Sequence, residues 1–165
     1  MRSSRLPPAT PLVVVAIACL AAVGAALVSQ HMFDMQPCPW CVLQRVIFVL
    51  LALAALLGLL WRSMSGLRVA ATLGIVLAAL GAAAALWQHL VAAKSASCNL
   101  TLADRIVSGL QLDALLPQVF AATASCADAA VSLFGLPYEY WSLGLFGALG
   151  IALTMALLQR RPSAR

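Results

Sequence analysis

Four apolar runs set the plan of this chain. Leu6 to Gln30 carries no charge over 25 residues, Val46 to Trp61 none over 16, Val69 to Ala93 none over 25, and Tyr140 to Gln159 none over 20. A helix rises 1.5 Å per residue, so about 20 residues cross the ~30 Å hydrocarbon core of a bilayer. Three runs are long enough alone. The second reaches only about 24 Å. It must recruit Val42 and Leu43, which draws Arg45 to the outer boundary or just inside it. The pattern predicts an all-α membrane protein, a four-helix bundle forming one domain over residues 1–165. Its helices fall at about 10–30, 41–61, 68–89 and 140–159, with loops at about 31–40 and 90–139.

Composition agrees. The chain is 64% hydrophobic and 9% charged, whereas soluble domains carry about 25% charged residues. Too little polar surface is available to face water, so the bilayer is the expected solvent. The net charge of +5 does not indicate nucleic-acid binding. The basic residues lie at the ends of apolar runs and form no stripe. Arg2 and Arg5 before the first run are also compatible with a signal peptide. Its apolar core, Leu12 to Val28, is longer than the usual ~7–15 residues of such a segment, so a retained first helix is expected.

Charge also orients the bundle. Arg2, Arg5, Arg62, Arg68, Arg160, Arg161 and Arg165 flank the runs on one side, with no acidic neighbours. All five acidic residues, Asp34, Asp104, Asp113, Asp128 and Glu139, fall in the other two loops. Cytoplasmic loops are enriched in Lys and Arg, so both termini are expected inside and the two long loops outside.

The cysteines divide the same way. Cys19 lies mid-run and reads as a small buried hydrophobe. Cys38, Cys41, Cys98 and Cys126 all fall in the outward loops, where disulfides persist. Four cysteines allow three pairings; adjacency favours Cys38–Cys41 and Cys98–Cys126 without fixing them. A Cys98–Cys126 bridge would close a long loop, worth about 3–4 kcal/mol as a staple. A C-x-x-C bridge gains little loop entropy, and its usual value is reactivity, one thiol resolving a mixed disulfide on the other. No metal is expected, because the second pair is widely spaced and His31 and His89 show no ligand spacing.

The segment "CPWCVLQR", Cys38 to Arg45, carries the chemistry. Pro37 and Pro39 fix the backbone ahead of a helix expected to begin near Trp40 or Cys41. A thiol there feels the positive end of the helix dipole, which favours the thiolate. Gln44 and Arg45 follow Cys41 by three and four residues and share its helix face. An arginine inside a bilayer is a functional candidate by default, and here it could stabilise a thiolate or an oxyanion on a bound acceptor. Snorkelling to lipid phosphates is the plainer alternative.

These residues resemble the disulfide bond formation protein B (DsbB) family. The resemblance rests on C-x-x-C followed by "VLQR", four helices with both ends inside, and a long second outer loop with two more cysteines. The stretches "LPQVFAATASC" and "YWSLGLFG" also match. It implies an enzyme of the bacterial inner membrane with its active face in the periplasm. Such an enzyme reoxidises a soluble thioredoxin-fold oxidant of the DsbA type and passes the electrons to membrane quinone, ubiquinone or menaquinone. Carried over by residue, Cys98 would form the mixed disulfide with the partner, and Cys126 would exchange with Cys38. Cys41 would face the quinone, Arg45 would polarise a quinone oxygen, and Gln44 and His89 would lie beside it. A vitamin K epoxide reductase-like enzyme is a rival, but its C-x-x-C usually sits on a late helix. A non-enzymatic membrane subunit with structural disulfides is the rival of another class.

The second loop adds a surface element. Leu112, Leu115, Leu116, Val119 and Phe120 repeat at helical spacing. They predict a short amphipathic helix lying on the membrane surface, interrupted or kinked at Pro117.

Overall fold

The structure is a computed structural model that describes residues 9–61, 63–94 and 101–158. Cys98 lies outside the described residues, as do Arg2, Arg5, Arg62, Arg160, Arg161 and Arg165. Four long helices, α1 (Thr10–Met32), α2 (Pro39–Leu60), α3 (Met64–Leu90) and α7 (Tyr138–Leu158), are long and apolar enough to cross a membrane. The chain is an all-α membrane bundle.

Local chemistry explains where the helices begin. α2 starts at Pro39, earlier than expected, because proline fits the first helical position and has no N–H to satisfy. Cys38 is therefore the N-cap, in extended backbone, and its sulfur accepts from the Cys41 N–H at 3.3 Å. α3 starts at Met64 rather than 68, because Ser63 caps it by accepting from the Gly66 N–H at 3.0 Å.

α2 is the hub. It packs on α1 and α3, and α3 packs on α7, whereas α1 and α7 meet only lightly. Leu12, Val15 and Cys19 of α1, Leu51 of α2, and Phe146, Leu149 and Leu153 of α7 form the buried centre. α3 contributes small residues, which let backbones approach where lipid supplies no hydrophobic drive. A Cβ at Gly74 would stand 2.7 Å from Leu153 Cδ1, and one at Gly81 would overlap the Phe146 ring. That ring stacks on Phe48 of α2 at 4.1 Å between centroids and 5° between planes. Gly81→Ala is expected to destabilise the bundle by about 1–3 kcal/mol through overpacking, read as a lower thermal midpoint in detergent.

The segment between α3 and α7 is more structured than its sequence suggested. A 3₁₀ turn, Ala92–Lys94, closes α3. α4 (Leu102–Gly109) opens with a reciprocal capping box between Thr101 and Asp104. The expected amphipathic helix is interrupted at Pro117 and forms two single turns, α5 (Leu112–Leu115) and α6 (Pro117–Phe120). The residue before a proline is pushed out of the helical region, and Leu116 sits at φ −137°, ψ 68°. The apolar stripe is split accordingly. Phe120 is buried with Val107 against Val42 and Val46 of α2, while Leu115 and Leu116 are 70% and 55% exposed. A minimal antiparallel hairpin, β1 (Ser132–Leu133) with β2 (Leu136–Pro137), precedes α7. Its turn residues Phe134 and Gly135 both have positive φ, 52° and 78°, as a type I′ turn requires.

Candidate functional site

Backbone hydrogen bonds bring the two cysteine loops together. The carbonyl of Pro37 accepts from the N–H groups of Thr123 and Ala124, at 3.0 and 3.3 Å. The Thr123 hydroxyl donates to Gln36 Oε1 at 2.6 Å. This docks the end of the second loop on the first and sets Cys126 beside Cys38, with the Trp40 N–H directed at its sulfur. Cys38 and Cys41 lie one helical turn apart at the start of α2, their sulfurs 2.6 Å from each other. Cys38 thus occupies the middle of a three-sulfur row, fully buried, with Cys126 on one side and Cys41 on the other.

The row is electrostatically polarised. Hydrogen bonds to Cys126 and then Cys41, followed by burial, push the Cys38 thiol well above the usual cysteine range. The same hydrogen bond, received from Cys38, holds the Cys126 thiol below that range against the opposing effect of burial. Reduced Cys38 keeps its proton and Cys126 favours the thiolate. Replacing Cys38 by Ala removes the donor to Cys126. Alkylation of Cys126 in the reduced protein at neutral pH is then expected to slow several-fold, because the thiolate is the reactive form. Peptide-level mass spectrometry would read it, and an unchanged rate would contradict the assigned hydrogen bond.

The cap puts both thiols in the first turn of α2. Cys38, not Cys41, stands at the helix cap, and Cys41 is the third helical residue. Side chains also hold Cys41. Gln88 Nε2 of α3 donates to its sulfur at 3.3 Å, and Gln44 Nε2 donates to Gln88 Oε1 at 2.7 Å. Both amides are buried. Because Gln44 occupies the carbonyl end of Gln88, the Gln88 NH₂ is turned toward the thiol.

Arg45 is 6% exposed. Its Nη1 donates to Gln30 Oε1 of α1 at 2.7 Å and to the Val119 carbonyl of α6 at 3.0 Å, and its Nη2 to the Ala26 carbonyl at 3.5 Å. Among the described residues no carboxylate pairs with it. The guanidinium is therefore a buried, fixed positive charge held by neutral acceptors, beside Cys41.

Cys41, Gln44, Arg45 and Gln88 line one end of a cavity of about 560 Å³. Its other walls are the small residues Ala22, Ala25 and Ala26 of α1 and the aromatic start of α7, including Tyr138 and Trp141. The cavity occupies the seam where α1 and α7 meet only lightly. Its size is that of a small-molecule site, and an apolar wall with a few convergent polar groups is the usual chemistry of one. A second cavity, about 360 Å³, also touches Cys41, Arg45 and Tyr138 and runs out to Asp34 and Asp128.

Five of the seven candidate residues, Cys38, Cys41, Cys126, Gln44 and Arg45, come together here. His89 stands one step back: it does not line the cavity but binds Glu139, which does. Cys98 lies outside the described residues. Gln88, Glu139 and Gln30 were not singled out from the sequence. Gln88 could have been, as an amide one residue from His89 at the end of an apolar run.

Comparison with known proteins decides the family. A family model described as "Disulfide bond formation protein DsbB" matches residues 8–156. This chain belongs to the DsbB family. "Disulfide bond formation protein B 1" of Pseudomonas savastanoi pv. phaseolicola is 33% identical over 152 residues, covering 91% of this chain and 89% of the relative. "Disulfide bond formation protein B" of Burkholderia pseudomallei (strain K96243) is 31% identical over 156 residues, covering 93% and 92%. As a DsbB-family chain with four apolar membrane-length helices, it is a membrane protein of disulfide-bond formation.

Proposed function

We propose that the protein is a quinone-dependent thiol:disulfide oxidoreductase of the bacterial inner membrane. It reoxidises a soluble DsbA-type dithiol oxidant on the periplasmic face, with both of its own termini in the cytoplasm. The observation that carries this reading is the sulfur row: Cys38 touches both Cys126 in the outer loop and Cys41 on the cavity wall. A thiol relay from water to lipid needs such a middle member.

The steps follow from the residues. The partner's thiolate attacks Cys98 of a Cys98–Cys126 disulfide and frees Cys126 as thiolate. Cys126 is already held beside Cys38, so it attacks Cys38 of a Cys38–Cys41 disulfide and releases Cys41 as thiolate toward the cavity. Closure of the partner's own disulfide frees Cys98, and its return to Cys126 leaves Cys38 and Cys41 as the reduced pair. A quinone bound in the cavity supplies a two-electron, two-proton acceptor. The lining suits one: apolar walls with aromatic residues, and a buried guanidinium with no carboxylate partner among the described residues. Arg45 would hold an acceptor oxygen, and Gln88 would keep the Cys41 sulfur aimed at it.

The test is steady-state reduction of a short-chain quinone by the purified protein, supplied with a reduced thioredoxin-fold substrate. Turnover supports the reading, whereas cysteines that stay oxidised and a quinone that stays unreduced would make them staples. Arg45→Met is expected to raise the apparent quinone KM by about tenfold or more, the loss of one charge-assisted hydrogen bond of ~1.5–3 kcal/mol. Binding of the soluble partner should change little. Arg45→Lys should recover part of the loss, since an ammonium lacks the planar fork. An unchanged quinone KM in Arg45→Met would leave the arginine as a structural clamp between α1 and α6.

A further inference from the structure

A hydrogen-bonded carboxyl–imidazole pair stands at the cavity. Glu139, in the first turn of α7, is 5% exposed and lines the cavity wall. A carboxyl group buried in an apolar wall is costly unless it is partnered, and an ionisable group lining a cavity is a functional candidate. Its partner is His89 Nδ1, 2.7 Å from Oε1. His89 lies in the last turn of α3, keeps 30% of its side chain exposed, and rests its ring against Tyr140 at 4.7 Å between centroids. A continuous hydrogen-bonded path thus runs from the cavity to the surface through two groups that exchange protons. The other titratable groups around the cavity are Cys41 and Arg45 on α2 and Tyr138 and Tyr140 on α7. The lining residues of α1, Ala22, Ala25, Ala26 and Ser29, do not titrate.

We propose that Glu139 is the proton donor to the acceptor bound in this cavity, and that His89 is the positioning residue that reloads it. This rests on the quinone-linked reading above. The balance requires such a group. Oxidising the Cys38 and Cys41 thiols to a disulfide gives up two electrons and two protons, and reducing a quinone to hydroquinone takes two of each. Electrons leave through Cys41, but Arg45 is a permanent cation and supplies no proton. The Glu139 carboxyl gives its proton to the acceptor oxygen and becomes a carboxylate. It takes a proton from His89 Nδ1–H, the imidazole regains one from solvent at its exposed edge, and a second pass of the same relay supplies the second proton that the hydroquinone needs. The solvent there receives, in the same turnover, the protons that the thiols release.

The test compares wild type with Glu139→Gln, which keeps the shape and a hydrogen-bonding end but carries no transferable carboxyl proton. Binding of a short-chain benzoquinone is followed by quenching of tryptophan fluorescence, since Trp141 lines the cavity. Single-turnover hydroquinone formation is followed from the pre-reduced protein. Infrared difference spectra between oxidised and reduced protein report the carboxyl. Binding should stay within about threefold, while hydroquinone formation falls about 100-fold, the size of a lost general acid. The carboxyl band change seen in wild type should vanish. His89→Ala should slow the same step less, and added imidazole should restore it, with no such rescue of Glu139→Gln. Equal rates in wild type and Glu139→Gln would overturn the proposal. So would a loss explained wholly by weaker binding, with the maximal rate unchanged. A wild type that neither binds nor reduces the quinone would bring down the underlying reading and this proposal together.

Discussion

Cys38→Ser and Cys41→Ser are each expected to abolish turnover while leaving the protein folded and inserted. The sulfurs sit 2.6 Å apart at the first turn of α2. Their ring is too small for much chain-entropy stabilisation, so their loss costs the fold little. Serine can still cap α2 at position 38, because its oxygen can accept from the Cys41 N–H that the sulfur now binds. Exchange has no such substitute. Without Cys38, Cys126 has no sulfur to attack; without Cys41, no sulfur faces the cavity. Turnover should fall by at least about 1000-fold, as when a member of a catalytic unit that acts together is removed. Near-normal turnover in either variant would show that electrons leave by another route.

Cys126→Ser is expected to trap the partner. Attack on Cys98 by a partner thiolate needs a leaving sulfur, so the trap is best set by mixing the variant with the partner in its oxidised form after reducing Cys98. The Cys98 thiolate then opens the partner's disulfide and forms an adduct that Cys126 is no longer present to resolve. Non-reducing electrophoresis should show the adduct for Cys126→Ser and little in wild type, where Cys126 is free to displace the partner. The same adduct from Cys98→Ser would reverse the assignment and make Cys126 the partner-facing thiol. The docked loop speaks against that reversal, because Cys126 is buried and its neighbours Thr123 and Ala124 are pinned to Pro37.

The bundle was legible because membrane solvation leaves a coarse signature. An uncharged run of about 20 residues has few other uses. The short second run implied an arginine at or just inside the outer membrane boundary, and in the structure Arg45 is buried among protein groups. Its partners were not legible: two are backbone carbonyls, of Val119 and Ala26, and the third is Gln30, distant in the chain. The cysteine pair announced itself by spacing, but the approach of Cys126 to Cys38 depends on Pro37 accepting from a loop more than eighty residues away. No periodicity encodes such a contact. His89 was singled out by the family resemblance, at the outer end of the third helix. The structure assigns the wall positions to its neighbour Gln88 and its partner Glu139, because a one-residue step on a helix turns the side chain by about 100°. The amphipathic stripe ending at Phe120 was legible as a short helix interrupted or kinked at Pro117, but its packing on α2 was not. Pro117 divides it, and half of it serves to close α2.

The central claim is that the Cys38–Cys41 pair delivers its electrons to an acceptor in the adjoining cavity. The most direct measurement is a single anaerobic turnover. Cys98→Ser/Cys126→Ser protein, with Cys38 and Cys41 reduced, is mixed with excess short-chain quinone and no partner. Hydroquinone is counted optically, and the Cys38–Cys41 disulfide is counted by mass spectrometry. The account expects one hydroquinone and one Cys38–Cys41 disulfide per protein, and neither when Cys41 is also changed to Ser. Both thiols remaining reduced while the quinone stays oxidised, or hydroquinone forming without that disulfide, would contradict it.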